Sequence, residues 1–310
     1  MISKSAKNQN NFKRKICFTN AARDGWELIL ETLEPSAKVL LPSYIGITER
    51  EGSGIFDPIT KTDVNYSFYA LNDDLSISLQ NIKDCLERET FDMILLVHYF
   101  GFRIKNIEEI VEVCKANNVT VVEDCAHLFA YNVNDLSDAG NYGDFAFYSL
   151  HKFFPIDQGG AYVQNNLELK TPNTSGLKLT QDYCQLLVSY NVDAIADKRI
   201  KNFKYIDRLI KNIDGVRPLM TLNENDIPHN YPIIVENNLR EKLYFWLIDR
   251  GITLTALYYR LIDSIEKDVY KEMHDISNSI LNLPIHQDMN EQDIRHLVEQ
   301  INEGILELSK

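Results

Sequence analysis

Lys152 lies in Tyr-Ser-Leu-His-Lys-Phe-Phe-Pro, with aromatic residues on both sides of it in the sequence. A charged lysine is rarely buried without a partner, and desolvation lowers the pKa of its amine. A lysine held this way is a nucleophile able to form a Schiff base with a carbonyl carbon. Asp124, 28 residues upstream, follows an apolar run of strand length, Val119 to Glu123. Its carboxylate falls at a sheet edge, where burial favours the neutral form and a cation restores the charge. A protonated pyridine nitrogen is such a cation, and an acid beside it keeps the ring an electron sink. Ser149 precedes the lysine by three residues, and Gly159-Gly160 follow it. The glycines allow close backbone approach just before the next strand. Plainer readings exist for each residue alone. Asp124 could cap a turn, and Ser-x-x-Lys is a common surface pattern.

The elements that must position these groups alternate in kind. Lys15 to Thr19 reads as a strand. Asn20 stands as a cap before a helix carrying Trp26, Ile29, Leu30 and Leu33 at helical spacing. Ala21 and Ala22 are small enough to let backbone N–H groups approach an anion at the helix start. Lys38 to Leu41 is a buried strand that empties into Pro-Ser-Tyr, placing Tyr44 at the carboxyl edge of a sheet for ligand stacking or packing. Asp63 to Tyr69 is a strand, Leu75 to Leu86 a helix, Met93 to His98 a fully buried strand, and Ile107 to Ala116 a helix. This is an α/β pattern with a mostly parallel central sheet and right-handed crossovers.

Beyond Val163 the pattern weakens. Residues 165–180 read as a loop and 181–212 as a helix, dense in basic residues from Lys198 to Lys211. A Pro- and Asn-rich connection, 213–230, suggests a domain boundary. The remainder reads as a small α+β domain: a strand at Tyr231 to Val235, a helix from Leu239 to Arg250 stopped by Gly251, a strand at Thr253 to Tyr258, and a last helix starting at Asn290. The predicted division is a flexible tail (1–14), a large domain (15–212) and a small C-terminal domain (213–310).

The charge balance is acidic, 32 basic against 45 acidic side chains for a net charge of −13, which argues against a general nucleic-acid or anionic-membrane binder. The cysteines (Cys17, Cys85, Cys114, Cys125, Cys184) are odd in number and form no Cys-x-x-Cys pair, so neither a disulfide framework nor a zinc site is expected. No apolar run reaches the ~20 residues of a membrane helix, and the first residues have no apolar signal core. A cytoplasmic location is the expectation.

In combination these segments are more specific than any one of them. Val-His-Tyr-Phe-Gly (97–101), Val-Val-Glu-Asp-Cys-Ala-His (121–127), the block Gly143 to Val163, and Leu281 to Ile301 together resemble the DegT/StrS family of pyridoxal-phosphate sugar aminotransferases, of fold type I. The double glycine stands seven and eight residues after Lys152, as in that family. The resemblance implies Lys152 as the lysine that bonds the cofactor and carries protons, and Asp124 as the partner of the ring nitrogen. It implies His127 against the ring or its 3-hydroxyl, and Ser149 with the amides of Ala21, Ala22 and Arg23 around the phosphate. Substrates would be a nucleotide-linked keto sugar and an amino acid such as glutamate, and the protein would be a homodimer. The chain departs from the family in three places. Ser149 and Lys152 are three apart where many members have five, the helix start reads Asn-Ala-Ala-Arg-Asp, and the 165–200 region is short. Two other readings share this fold: sugar dehydration, in which relatives carry His at the lysine position, and a regulatory protein without turnover. His151 sits next to Lys152, but the count to the double glycine selects Lys152.

Overall fold

The computed structural model describes residues 15–128, 140–183 and 189–310. The expected tail, Cys184 and part of the expected 181–212 helix lie outside these residues. A seven-stranded sheet has the order β1-β7-β6-β5-β4-β2-β3. Its strands are β1 (Lys15–Thr19), β2 (Lys38–Pro42), β3 (Asn65–Tyr69), β4 (Met93–Val97), β5 (Thr120–Cys125), β6 (Phe145–Ser149) and β7 (Gly160–Gln164). Strands β3, β2, β4, β5 and β6 run parallel, while β7 is antiparallel to both β6 and β1. The expected mostly parallel α/β sheet is thus present. Its centre follows from composition, since every residue of β4 is buried, as befits a strand covered on both faces. Parallel strands end on one edge, so Ser43-Tyr44, His98, Asp124 and Ser149 are brought to the same side of the sheet.

Helix α1 (Ala22–Leu30) lies across β6 and β7, with Trp26 stacked on Phe147 at 5.6 Å between ring centroids. Its cap is Ala21, not Asn20. Ala21 N–H donates to Asp24 Oδ2 at 2.9 Å, while the Asn20 side chain instead ties down residues 178–183 by bonds to Lys178 O, Thr180 N and Tyr183 Oη. Gly159 N donates to Asn20 O at 2.7 Å. The helix start is therefore stitched to the strand that follows Lys152.

A second, antiparallel sheet of three strands joins β8 (Val216–Pro218), β9 (Tyr231–Val235) and β10 (Ile280–Leu283). The helices Arg240–Ile248, Lys271–Ser279 and Glu291–Leu308 accompany it. As expected, Asn290 caps the last helix, accepting from Gln292 N and Asp293 N, and Gly251 takes φ +76° after its helix. The helix Val192–Ile210 packs on Glu291–Leu308.

Several expectations are corrected. Thr253 to Tyr258 is no strand. Only Thr255 bridges to Asn282, because Leu257 N–H bonds the Asn282 side chain and Tyr258 turns to φ +60°. The helix expected from Leu75 begins at Leu79, because Leu75 has φ +62° and Ser78 accepts from Asn81 N as the cap. Strand β8 arises inside the supposed connection. Helices Phe56–Thr62 and Lys271–Ser279 were unexpected.

Gly160 marks the tightest seam. A Cβ there would stand 2.3 Å from Ala21 C and 2.6 Å from Ala22 N, and backbone cannot yield as a side-chain tip does. Gly160→Ala should therefore lose about 1–3 kcal/mol of stability in denaturant unfolding. An unchanged midpoint would show that the seam relaxes.

Candidate functional site

The sheet edge and the turn after β6 bring the candidate charges together. Asp124, at the carboxyl end of β5, is only 5% exposed. Its Oδ1 accepts from Ala126 N at 2.8 Å. Burial raises its pKa, opposed by that N–H and by the electrostatic influence of Lys152 and His98. The Lys152 amine is pulled from its ordinary value down to about 8, chiefly by burial. Asp124 and Glu51 draw it up, and Arg23 pushes it down. Lysine and aspartate feel one another, yet no ion pair at 4.0 Å or less joins them among the described residues.

Behind Asp124 is a closed polar cluster. His98 Nε2 meets Glu123 Oε2 at 3.0 Å, and Glu123 Oε1 accepts from Tyr142 N and Gly143 N. Cys125 lies with these two side chains in the core, but His98 and Glu123 are already committed to each other.

His127 is buried in an array of near-parallel rings, 5.9 Å from Phe100 and 5.2 Å from His229 between centroids. Its Nδ1 accepts from Phe100 N at 3.2 Å, so in the neutral ring Nε2 carries the proton and is a donor. Burial, with help from Lys152 and His229, lowers its pKa well below the usual histidine value. The ring is thus neutral near pH 7.

Ser149 is buried, and its strand position pairs with Gly160, which touches Ala21 and Ala22. That places the hydroxyl at the same seam as the helix start. Its Oγ contacts His151 Nδ1 at 3.3 Å. Ala21 N–H is taken by Asp24, which leaves the first-turn N–H groups of Ala22 and Arg23 for an anion. The Arg23 side chain reaches Glu51 O at 2.9 Å and Asp57 at 3.6 Å.

Tyr44 takes the packing alternative of the two that the sequence leaves open. It is fully buried, with its ring stacked on Tyr258 at 5.2 Å and edge-on to Tyr99, so it has no open face for a ligand. What it leaves open is a hydroxyl. The Tyr44 Oη and the adjacent Ser43 Oγ are buried without a hydrogen-bond partner.

Three contributors escaped the sequence reading. His229 stands just before β9. Tyr258 leans on Tyr44, Tyr99, Phe100 and His127. Arg199 lies behind the lysine turn. A histidine abutting a fully buried strand was a weak signal for the first; the other two left none.

A model of the DegT/DnrJ/EryC1/StrS aminotransferase family matches residues 67–179 and 185–302. GDP-perosamine synthase of Escherichia coli O157:H7 is 23% identical over 307 residues, covering 90% of this chain and 79% of that protein. Among solved structures, the aminotransferase TlmJ from Streptoalloteichus hindustanus superposes with a TM-score of 0.76 at 18% identity, over 95% of this chain and 87% of the other. A Streptococcus pneumoniae protein described as a sugar aminotransferase superposes at 0.75 in its PMP form and 0.74 in its PLP form. Identities are 16% and 15%, with 94% of this chain covered by each and 88% and 87% of the other.

The residues present fit pyridoxal phosphate. A buried carboxylate without a bonded cation suits a pyridinium nitrogen, and a depressed amine suits an aldehyde. The initial rate at which the cofactor-free protein develops absorbance on adding pyridoxal phosphate, followed across pH, should have its midpoint near pH 8, where the Lys152 amine titrates. Asp124 raises that value, so Asp124→Asn should move the midpoint down. A wild-type midpoint at the free-lysine value would contradict the burial described.

Proposed function

Because the chain belongs to the DegT/DnrJ/EryC1/StrS aminotransferase family, whose members are pyridoxal-phosphate enzymes, we propose that it moves an amino group from an amino acid, glutamate by analogy, to a nucleotide-linked keto sugar in glycan or polysaccharide biosynthesis. The observation that carries this reading is the Lys152 amine, held at about 8 beside the buried Asp124 carboxylate at the carboxyl edge of the sheet. The bound cofactor supplies an aldehyde and an electron sink. The chain's own groups do the rest.

Lys152 would hold the aldehyde end of the cofactor, and its neutral amine would accept and return the proton that must move between carbons. An amine titrating near 8 is matched to this work at neutral pH. Asp124 stays ionised when paired with a ring-nitrogen proton, which lowers a pKa that burial alone raises. Neutral His127 would offer its Nε2–H to an oxygen of the ring. Ser149 and the first-turn amides of Ala22 and Arg23 would hold the phosphate, with the dipole of α1 adding to the attraction. Tyr44 contributes its unpartnered hydroxyl, not a stacking face.

Transamination is favoured over dehydration by what surrounds the two neighbouring candidates. His151 is exposed, with Nδ1 near Gly159 O at 3.4 Å, whereas Lys152 is the residue electrostatically coupled to Asp124. We further place a division near residue 212, supported by the start of the second sheet at Val216. A cytoplasmic homodimer is part of the same reading. Among the described residues, no helix is long and apolar enough to cross a membrane.

Purified protein mixed with pyridoxal phosphate should gain a visible absorbance band, and Lys152→Ala should lack it. Amino donors should bleach the wild-type band, glutamate foremost, and a nucleotide-linked keto sugar should restore it. A wild type that never develops the band would sink this reading. A band that no amino acid bleaches would favour dehydration or a regulatory role.

A further inference from the structure

Behind the lysine turn lies a buried cation on which the Asp288 carboxylate acts without closing an ion pair. Arg199, on the helix Val192–Ile210, is 3% exposed, and it forms no ion pair among the described residues. Its Nη1 donates to His229 O at 2.9 Å, and its Nη2 stands 3.5 Å from Lys152 O. Its guanidinium lies 4.9 Å from the centroid of the Phe153 ring, and its Nε is buried with no partner. A buried charge with no carboxylate in contact is costly, and the contacts Arg199 does make are with carbonyls and an aromatic ring of the lysine turn. Only a planar fork can span two carbonyls while lying on an aromatic face.

The neighbours of Arg199 reinforce the same turn. Asn202, three residues further along the helix, donates to the carbonyls of Ile285, His286 and Met289. Gln287, from that segment, donates back to Phe153 O at 3.2 Å. Leu150, Phe153 and Phe154 pack with Tyr183, Ile195 and Ala196 in a satellite core of their own, apart from the main one. The turn bearing Lys152 is thus secured to this helix and to the C-terminal segments more than to the sheet.

We infer that Arg199 is a positioning residue for Lys152: by gripping the carbonyls of Lys152 and His229 and covering Phe153, it seats the turn and fixes where the amine stands relative to Asp124. This rests on Lys152 being the reactive lysine. The groups that act on the amine are Asp124 from β5, with Glu51 and Arg23 from the side of α1; the amine in turn lowers the pKa of the facing rings of His127, His151 and His229. Arg199 does not act on it directly. Its effect runs through placement and the exclusion of water.

The test is competitive acetylation of Lys152 across pH in protein without cofactor, read by mass spectrometry. It is independent of the visible band. The wild-type midpoint should lie near 8. Arg199→Met should raise it by about one unit or more, toward the free-lysine value, as water reaches the loosened turn. Arg199→Lys, which keeps the charge and loses the fork, should fall between. If Arg199→Met does not fold, Arg199→Gln carries the test with the same expected sign. A folded neutral variant with a lower melting temperature and an unmoved Lys152 midpoint would overturn the proposal and leave Arg199 a structural residue.

Discussion

The site depends on an incomplete charge pairing. Lys152 and Asp124 are close enough to shift one another's protonation, yet no salt bridge closes between them. Direct contact would quench both groups, lifting the amine toward its usual pKa and tying up the carboxylate. Separation with desolvation keeps the amine reactive and the carboxylate in want of a cation. A flat heteroaromatic ligand with an aldehyde at one end and a basic nitrogen at the other answers both needs at once. The fold's task is to hold two groups near and apart.

Two different kinds of element achieve this. Asp124 is fixed by the sheet, at the end of a strand whose neighbours β4 and β6 are buried along their length. Lys152 is fixed by a turn whose anchors come from a helix and a loop distant in sequence. One side of the pair is rigid through backbone ladders, the other through side-chain packing. The proposed phosphate end draws on both, because Ser149 closes β6 while Ala22 and Arg23 open α1, and Gly160 brings the two together.

What could be read from the sequence follows the same divide. The runs Met93 to His98 and Val119 to Glu123 announce buried parallel strands by composition alone, and Asp124 inherits its place from the second. Lys152 was found by its count to Gly159-Gly160. Local patterns failed wherever tertiary contacts decided the conformation. Thr253 to Tyr258 has strand composition, but the Asn282 side chain takes the Leu257 N–H, and Tyr258 adopts a left-handed backbone to reach an aromatic box more than 150 residues away in sequence. Asn20 has the chemistry of a helix cap and spends it on the segment 178–183. Arg199 sits in a basic helical run that looks solvated, and only the folded chain separates it from its exposed neighbours. Residue type revealed what the groups could do; the partners that chose among those uses came from elsewhere in the chain.

The antiparallel strand β7, set between β1 and β6, has a consequence for the order of assembly. Among the described residues β1 is an edge strand whose one partner in the sheet is β7, and Thr19 pairs with Gly160 across about 140 residues of intervening chain. During synthesis the parallel strands β2 to β6 can form and collapse while the first strand still waits. The start of α1, the proposed anion cradle, cannot be seated until β7 has emerged, after the strand that ends in Asp124. On the proposed reading, the newborn protein would place its carboxylate early and its anion cradle late, and competence to hold a phosphorylated ligand would mark the closing of the sheet.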